Sequence, residues 1–421
     1  MIFAKRPALD PARTSLAAAY LADEAAVAEA RCVEARLPPD VQQRVAARAR
    51  ALVEAVRAGG RAGGLDAFLQ EYSLGTAEGI VLMCLAEALL RIPDAETKDR
   101  LIRDRLSEAE WERHLGHSDS WLVNASTFGL MLTGRIMRLG EWPKGEEAWQ
   151  ALRRLVSRSG ESVIREALVQ ALRILGRQFV MGRTIGEALD RAEADEWRGY
   201  RHSFDMLGEA ARTAEDAVRY FAAYRSAIEA LGAWCRTPER SRLSLFERPS
   251  VSVKLSALHP RYELAKAVRV MAELSPRLLE LAEAARAQGI GVTVDAEESE
   301  RLDLSLDIVE SVFRNPALEG WEGFGLAVQA YQKRARPLLD WLIALARSGR
   351  RRIPVRLVKG AYWDSEIKRA QEKGLPGYPV FTRKAATDAS YIACAKAMLA
   401  APGAIYPQLA THNAHTVAAV L

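Results

Sequence analysis

Cysteine is scarce in this sequence, and long hydrophobic runs are missing from it. The four cysteines, Cys32, Cys84, Cys235 and Cys394, are scattered along 421 residues without a CxxC pair, so we interpret them as reduced thiols and not as disulfides or a zinc site. No stretch reaches the roughly 18 uninterrupted apolar residues that a spanning helix needs. The opening letters MIFAKRPALDPARTS are charged too early for a signal peptide. The sequence therefore predicts a cytoplasmic protein, and peripheral contact with the inner membrane is compatible with this prediction.

A strong excess of one charge is also absent. The chain has 59 lysines and arginines against 54 acidic residues, a formal net charge of +5. This excess is spread along the chain, and we find no ribbon-helix-helix or basic-arm pattern, so we expect no nucleic-acid partner. Apolar residues are abundant at 49%, enough for two or three domains or for one barrel with an added helical layer.

Residues 1–190 are predicted to be all helical. They are rich in Ala, Leu, Arg and Glu, and in PPDVQQRVAARARALVEAVRAG the apolar residues recur at helical intervals until Gly59, a stop signal. We interpret this part as a scaffold or an oligomerisation arm, and therefore expect a homo-oligomer.

Residues 191–421 have a different period. Short strand-like runs alternate with amphipathic segments such as 264–288, 301–314 and 385–400, a rhythm typical of parallel strands joined by right-handed crossovers. The strand-like runs are YRHSFDML, SVSVKLSAL, GVTVDAEE, FGLAVQAY, PVRLVKGAY and YPQLATHN. Both an open doubly wound sheet and a (βα) barrel fit this rhythm.

Side-chain parity favours the barrel. In strand after strand one face is aliphatic and the other is polar near the carboxyl end, whereas open parallel sheets usually give unbroken apolar runs. The polar face holds Lys254, Asp295, Gln329 and Arg356, and the carboxyl ends of barrel strands are where barrel enzymes bind substrates. Two cations at this end of the barrel, which we call its mouth, favour an anionic or electron-rich ligand. The alternative is a structural ion pair with Asp295 or Asp205.

Two further segments are candidates for the same mouth. In GYPVFTRKAATDAS, hydroxyls and cations precede a helix, which suits a phosphate group; an ordinary helix start is the alternative. In ATHNAHT, His412 and His415 with Asp295 permit a metal site, which would make the protein a metal-dependent barrel hydrolase. No HxH or HExxH motif accompanies them, so we expect no metal and interpret His412 as a hydrogen-bonding or stacking group.

Several motifs together resemble the proline dehydrogenase domain of proline utilization A. The matching segments are SVKLSALHPRYE, VDAEESERLD, VQAYQKR, RLVKGAYWDSEIKRAQ and THNAHT, in the family's order. The resemblance implies a (βα)8 TIM-type barrel that follows an α-helical domain and binds FAD noncovalently. It also implies oxidation of L-proline to 1-pyrroline-5-carboxylate, with electrons passed to a membrane quinone.

The resemblance also implies roles for particular residues. Lys254, Asp295 and Arg356 would be catalytic: Lys254 meets the proline carboxylate, Asp295 lies beside substrate and flavin, and Arg356 lies near the reactive flavin nitrogen. Glu209 would close the site as a substrate gate by pairing with an arginine. The implied cofactor-binding residues are Asp295, Ala296, Val328, Gln329, Arg356, Val358, Gly360, Ala361, Tyr362, Trp363, Phe381, Thr382, Arg383, Lys384, Thr387, Ala410, Thr411, His412 and Asn413.

Parts of the family pattern are missing from this sequence. Six strands are countable up to Leu421, whereas a barrel of this type has eight. The aromatic that covers the proline ring, the paired arginines that grip its carboxylate and the second dehydrogenase domain would all follow. We therefore expect a piece of a longer bifunctional enzyme. The alternative to an active portion is a truncated, non-catalytic remnant.

Overall fold

The computed structural model describes residues 11–59, 180–194 and 199–421. The chain divides into two compact units. One contains the residues up to Gly59 together with Gly199–Leu421, and the other contains Gly60–Arg198. The segment that we predicted as one helical domain over 1–190 is therefore divided near residue 59, because its first helices pack on the strand-bearing part of the chain.

A parallel sheet organises the first unit. Its six strands lie in the order of the sequence, and each hydrogen-bonds to the next. The strands are β1 Ser203–Asp205, β2 Ser250–Val253, β3 Gly291–Val294, β4 Phe324–Gln329, β5 Ile353–Val358 and β6 Ile405–Leu409. Each of the six predicted strand-like runs overlaps one of these strands, and β5 and β6 begin one residue before the predicted runs.

The strand order distinguishes between the two predicted architectures. A doubly wound sheet reverses its strand order at a switch point, whereas this order runs without reversal from β1 to β6. Successive right-handed crossovers that always step in one direction place their helices on one face of the sheet. The six strands form a curled half-barrel, which confirms the prediction of a TIM-type fold.

Helices connect and surround the strands. In chain order the α-helices of the described residues are α1 Pro11–Ala18, α2 Glu24–Ala35, α3 Pro39–Gly59, α4 Ile185–Ala192, α5 Ala214–Cys235, α6 Leu255–Leu258, α7 Ala267–Gln288, α8 Leu302–Phe313, α9 Ala335–Ser348, α10 Trp363–Glu372, α11 Lys384–Leu399 and α12 Ala414–Val420. Short 3-10 helices lie at Leu264–Lys266, Ser299–Arg301 and Pro316–Leu318. The predicted amphipathic segments correspond to α7, α8 and α11.

Local sequence signals set the ends of these helices. At the start of α5, Thr213 accepts a hydrogen bond from the backbone of Asp216, whose side chain accepts one from Thr213 in return. This reciprocal pair satisfies two of the unpaired N–H groups of the first turn. The end of α7 is followed by Gly289 with φ of 67°, a left-handed conformation that glycine adopts readily. In the second unit, the Thr184 side chain caps α4 by accepting from the Glu187 backbone.

The N-terminal helices pack on the outer helices of the half-barrel: α1 on α9, α2 on α11 and α3 on α12. Polar contacts anchor them. Arg13 on α1 is buried and donates to Asp307 at 2.7 Å on α8, and Lys396 on α11 donates to the backbone carbonyls of Glu34 and Arg36 at the end of α2. A lysine at this position complements the negative end of the helix dipole.

The hydrophobic core lies between the strands and this helical layer. Aliphatic residues from every central strand are fully enclosed with leucines of α7 and α9, such as Leu274, Leu278 and Leu342. None of the described helices is both long and apolar enough to cross a bilayer. The sheet thus supplies a rigid frame whose carboxyl ends carry the polar residues considered next.

Candidate active site

Arg356 projects from β5 to the polar face of the sheet, where three residues contact it. Its Nη1 donates to Ser252 Oγ at 2.7 Å and to Asp295 Oδ1 at 3.3 Å, and its Nη2 donates to Ser203 Oγ at 2.6 Å. An isolated buried cation is strongly disfavoured. Here hydroxyls and one carboxylate replace the water that the guanidinium loses, so its position is fixed.

Small neighbours leave room for this long side chain. Ala327 on β4 pairs with Arg356 in the strand register, and Asp205 on β1 pairs with Ser252 on β2. Side chains of paired residues share a face of a sheet. Alanine and serine occupy little volume there, so the guanidinium extends across the face toward β1 and β2.

Lys254 follows β2 and lies among carboxylates. Its Nζ donates to both oxygens of Asp205 at 2.9 and 3.1 Å and to Asp295 Oδ2 at 3.1 Å. Burial lowers the pKa of the Lys254 ammonium, but Asp295 and Asp205 outweigh this effect and the net pKa is raised. Lys254 is therefore a permanent cation at neutral pH, suited to anchoring an anion and unsuited to acting as a base.

Asp295 bridges the two cations, since one oxygen accepts from Lys254 and the other from Arg356. Burial raises the pKa of the Asp295 carboxyl, and the nearby Lys254 opposes this effect. The bridging carboxylate fixes the distance between ammonium and guanidinium. The ammonium and the guanidinium are therefore held as neighbours at the carboxyl edge of the sheet.

The predicted gate residue lies at the edge of this cluster. Glu209 Oε2 is 3.9 Å from Lys254 Nζ, and both the Glu209 and Asp205 side chains are partly exposed. Within the described residues, Glu209 therefore contacts a lysine. The resemblance implied that it would pair with an arginine. The carboxylates of Asp205 and Glu209 surround the ammonium on its solvent side.

Gln329 and Glu297 form a second polar group behind the cluster. Gln329 Nε2 donates to the Glu297 carbonyl at 2.8 Å. Glu297 accepts from the Ser256 backbone at 2.9 Å and from Arg301 at 2.6 Å. Burial raises the pKa of the Glu297 carboxyl, and the Ser256 backbone opposes this shift. These donors hold the Glu297 carboxyl in its buried position.

The residues implied for the cofactor lie mainly at the open edge beyond β5 and β6. The exposed members of the set are Gly360, Ala361, Trp363, Thr382, Arg383, Lys384, Ala410, His412 and Asn413. The partly buried members are Asp295, Ala296, Arg356, Val358, Tyr362 and Thr411. The buried members are Val328, Gln329, Phe381 and Thr387. The set thus combines exposed residues after β5 and β6 with buried residues of the sheet, a mixture that suits a ligand with one buried end.

Gly360 is required where β5 turns into this surface. Its φ is 131°, and a Cβ at this position would lie 2.4 Å from Cγ of Tyr331. Only glycine adopts this conformation without strain and permits the close approach to the ring. Trp363, which begins α10 just after this turn, donates from its indole nitrogen to the Phe381 carbonyl at 2.9 Å.

The predicted phosphate cradle begins helix α11. Arg383 precedes this helix, and no side chain caps its first turn, so its N–H groups remain available to an anion. Thr382 donates from its N–H and its hydroxyl to Glu24 on α2. Lys384 pairs with Asp388 at 2.6 Å, and Asp388 also accepts from Lys359. Two of the predicted phosphate contacts therefore have protein partners of their own.

The two histidines proposed as metal ligands follow β6. His412 and His415 are both exposed, and Asn413 caps α12 by accepting from the Thr416 backbone at 3.0 Å. Within residues 11–59, 180–194 and 199–421, no three His, Cys, Asp or Glu side chains are grouped as metal ligands. The metal-hydrolase alternative has no support from this geometry.

Sequence reasoning missed three contributors to the site. Ser203 and Ser252 hold Arg356, and Glu24 holds Thr382. Ser252 shares the polar face with Lys254, so parity could have identified it. Ser203 lies in a strand of three residues, too short for a reliable pattern, and Glu24 is 358 positions from its partner.

Comparison with family models identifies two regions. The proline dehydrogenase model matches residues 188–421, more than half of the chain. A model described as the DNA-binding domain of proline dehydrogenase matches residues 64–179. That description runs against our expectation of no nucleic-acid partner. The expectation stays a prediction, because residues 64–179 lie outside the described ranges.

Individual relatives match nearly the whole chain. The bifunctional protein PutA of Escherichia coli is 50% identical over 97% of this chain, and that of Rhizobium meliloti is 46% identical over 97%. The chain spans about a third of the length of these relatives, 31% and 32%. A crystal structure of Bradyrhizobium japonicum proline utilization A superposes with a TM-score of 0.69 at 48% identity, covering 99% of this chain and 40% of that one.

The family match, the half-barrel and the paired cations at its carboxyl edge are mutually consistent. The matched region includes every strand of the sheet and each of the catalytic candidates. The chain belongs to the proline dehydrogenase family.

Proposed function

We propose that the chain carries the FAD-dependent oxidation of L-proline to 1-pyrroline-5-carboxylate, the first step of proline catabolism to glutamate. The observation that carries this proposal is the bridge of Asp295 between Lys254 and Arg356 at the carboxyl edge of the sheet. The ammonium suits the carboxylate of an amino acid, and the guanidinium suits a planar electron-rich ring.

The described residues fit a flavin dinucleotide. The edge contains an exposed indole at Trp363 and a helix start at Arg383 whose first turn no side chain caps. An aromatic wall and a free helix N-terminus suit the two ends of such a cofactor. FAD, when bound, would supply the two-electron acceptor that amino-acid residues lack.

Each part of the cofactor has proposed contacts. Gln329 and Arg356 would contact the ring system, with the residues from Val358 to Trp363 beside it. The ribose and phosphates would be held by Thr382, Arg383, Lys384 and Thr387. Thr382 would accept from a ribose hydroxyl through its Oγ1, because both of its donors are given to Glu24. The opposite wall would be Ala410 to Asn413. Asp295, Ala296, Val328 and Phe381 would complete the pocket.

The chain's own residues would perform three tasks. Lys254 would orient the substrate by its carboxylate, which reduces the entropy lost on reaching the reactive geometry. Arg356, held rigid by its serine and aspartate partners, would stabilise negative charge that develops beside it. Glu209, 3.9 Å from Lys254, would close the site over the substrate.

A flavin spectrum of the purified chain tests the proposal. Protein prepared with added FAD and freed of unbound cofactor should be yellow, and anaerobic L-proline should bleach the flavin absorbance. D-proline, with the same charge and the opposite hand, is the control. A colourless protein that does not retain FAD would refute the proposal, whereas retained flavin without bleaching would favour the non-catalytic remnant.

The remaining partners follow from the same proposal. Electrons would pass to a quinone. The working enzyme would then be cytoplasmic and would contact the inner membrane peripherally. The helical part would support a homo-oligomer. A soluble quinone analogue should reoxidise proline-reduced protein faster than buffer alone. Equal rates would argue against a quinone acceptor.

A further inference from the structure

A glutamate from the N-terminal helices contacts the loop that begins the phosphate cradle. Glu24 Oε1, in the first turn of α2, accepts from the Thr382 backbone N–H at 2.8 Å and from Thr382 Oγ1 at 2.9 Å. The two residues are 358 positions apart in sequence. A carboxylate that accepts both donors of one residue fixes its backbone and its side chain together.

Other contacts hold the loop just before this point. The Lys333 backbone donates to the Pro379 carbonyl, the Phe381 backbone donates to the Tyr331 carbonyl, and Trp363 donates to the Phe381 carbonyl. These contacts end at Phe381. From Thr382 to the start of α11 the loop is exposed, and Glu24 is the residue that holds Thr382 within the described part of the chain.

Helix α2 is itself held at both ends, so Glu24 has a defined position. Lys333 is buried and donates to the Ala22 carbonyl at 2.8 Å, two residues before Glu24. Lys396 donates to two carbonyls at the other end of the helix. Asp23 caps the first turn by accepting from the Ala26 backbone at 2.8 Å. The cap is independent of Glu24, so a substitution at position 24 leaves the helix start intact.

We infer that Glu24 is a positioning residue for the cofactor-phosphate loop, and that the N-terminal helices are therefore part of the flavin-binding unit. This inference rests on the proposed function. Glu24 fixes Thr382, and Thr382 sets the direction in which Arg383 and Lys384 enter α11. Without this contact, binding of FAD must also order the loop, which weakens the observed affinity.

Equilibrium titration of the apoprotein with FAD, followed by quenching of flavin fluorescence, tests the inference without relying on turnover. Glu24→Ala should raise the dissociation constant about tenfold, equivalent to roughly 1.4 kcal/mol. Glu24→Gln keeps an oxygen acceptor in the same place and should stay within about threefold of the wild type. The matched control is Glu29→Ala, an exposed position on the same helix, which should bind FAD like the wild type.

Hydrogen exchange provides a second readout. FAD binding is linked to the docking of α2 on the Thr382 loop. Saturating FAD should therefore slow amide exchange in α2 of the wild type, and the slowing should be smaller in Glu24→Ala. Apo Glu24→Ala with the wild-type thermal midpoint shows that the fold is intact. A lowered midpoint with unchanged FAD affinity would mean that Glu24 stabilises the fold and does not position the loop.

The outcomes separate this inference from the proposed function. Failure of the wild type to bind FAD would refute the proposed function. Wild-type affinity in Glu24→Ala, with FAD bound by both proteins, would overturn the role of Glu24 alone. Equal weakening in Glu24→Ala and Glu24→Gln would also overturn it, because a hydrogen-bond acceptor should restore a hydrogen-bonded position.

Discussion

Arg356 on β5 donates a hydrogen bond of 2.6 Å to Ser203 on β1, although three strands separate β5 from β1 in the sheet order. Neighbouring strands lie about 4.8 Å apart, so in a flat sheet the two strands would be about 19 Å apart, beyond the reach of one side chain. The contact exists because the sheet curls. The curvature of the fold and the position of the guanidinium are thus parts of one arrangement.

The first prediction concerns Arg356. Arg356→Met keeps much of the side-chain length and removes the charge and the donors. We expect it to weaken FAD binding or to slow flavin reduction by proline more than about tenfold, because removing even one preorganised neutral donor beside developing charge costs roughly 2.7–4 kcal/mol in an enzyme active site. Stopped-flow absorbance measures the reduction. Arg347→Met, at an exposed position of α9, is the control, and unchanged reduction in Arg356→Met would refute the assignment.

The second prediction separates substrate binding from cofactor binding. Lys254→Met leaves the Asp205 and Asp295 carboxylates without their shared cation. The KM for proline should rise more than about tenfold, because removing one partner of a buried charge pair costs roughly 2–5 kcal/mol. The dissociation constant for FAD should rise less than the KM, because Arg356 keeps its contact with Asp295. Lys368→Met, exposed on α10, should alter neither. An equal loss in KM and FAD affinity would place Lys254 in the cofactor site instead.

The third prediction concerns the turn at Gly360. Gly360→Ala adds a Cβ that must avoid the Tyr331 ring, in a backbone conformation that alanine disfavours. We expect a loss of about 1–3 kcal/mol in the free energy of unfolding, measured by urea denaturation, together with weaker FAD binding. Gly377→Ala is the matched control, since no heavy atom lies within 4 Å of the position that its Cβ would take. Equal stability of the two variants would contradict this account.

The fourth prediction concerns pH and the buried His259. Its Nδ1 accepts from the Arg261 backbone at 3.0 Å, so Nε2 carries the hydrogen that is donated to Glu273 at 3.1 Å. Burial lowers the pKa of His259, and Glu273 opposes this shift. As the pH falls below about 6.5, the unfolded chain therefore takes up a proton that the folded chain does not, and stability is lost.

Urea unfolding at several pH values between about 7.5 and 5.5 measures this effect. The fall in unfolding free energy with decreasing pH should be smaller in His259→Asn than in the wild type. His415→Asn, at an exposed site, should keep the wild-type slope. The explanation fails if His259→Asn and the wild type lose stability in parallel.

Periodicity and parity predicted the frame of the molecule from the sequence. The alternation of Val251 and Val253 with Ser252 and Lys254 follows from the two-residue repeat of a strand, and the structure places Ser252 and Lys254 with the polar cluster. Such local rules predict which face a side chain takes. They were enough to assign Lys254, Asp295 and Arg356 to one face at one end of the sheet.

Contacts between distant segments could not be predicted in this way. The contacts of Glu24 with Thr382 and of Arg13 with Asp307 depend on how the N-terminal helices pack, and no periodic pattern encodes that choice. The division of the chain near residue 59 has the same origin. Helical spacing predicts that a segment is a helix, and the complementarity of two surfaces decides which neighbour it covers.

The wrapping of the first helices around the last ones has a consequence for biosynthesis. Arg13 and Glu24 leave the ribosome hundreds of residues before Asp307, Thr382 and Lys396, with which their segments pack. Each strand pairs with the strand made just before it, so the half-barrel can assemble as translation proceeds, whereas α1 to α3 must wait for partners that are made later. The docking of α1 to α3 would therefore be a late step in folding, after the last strands and helices have been made.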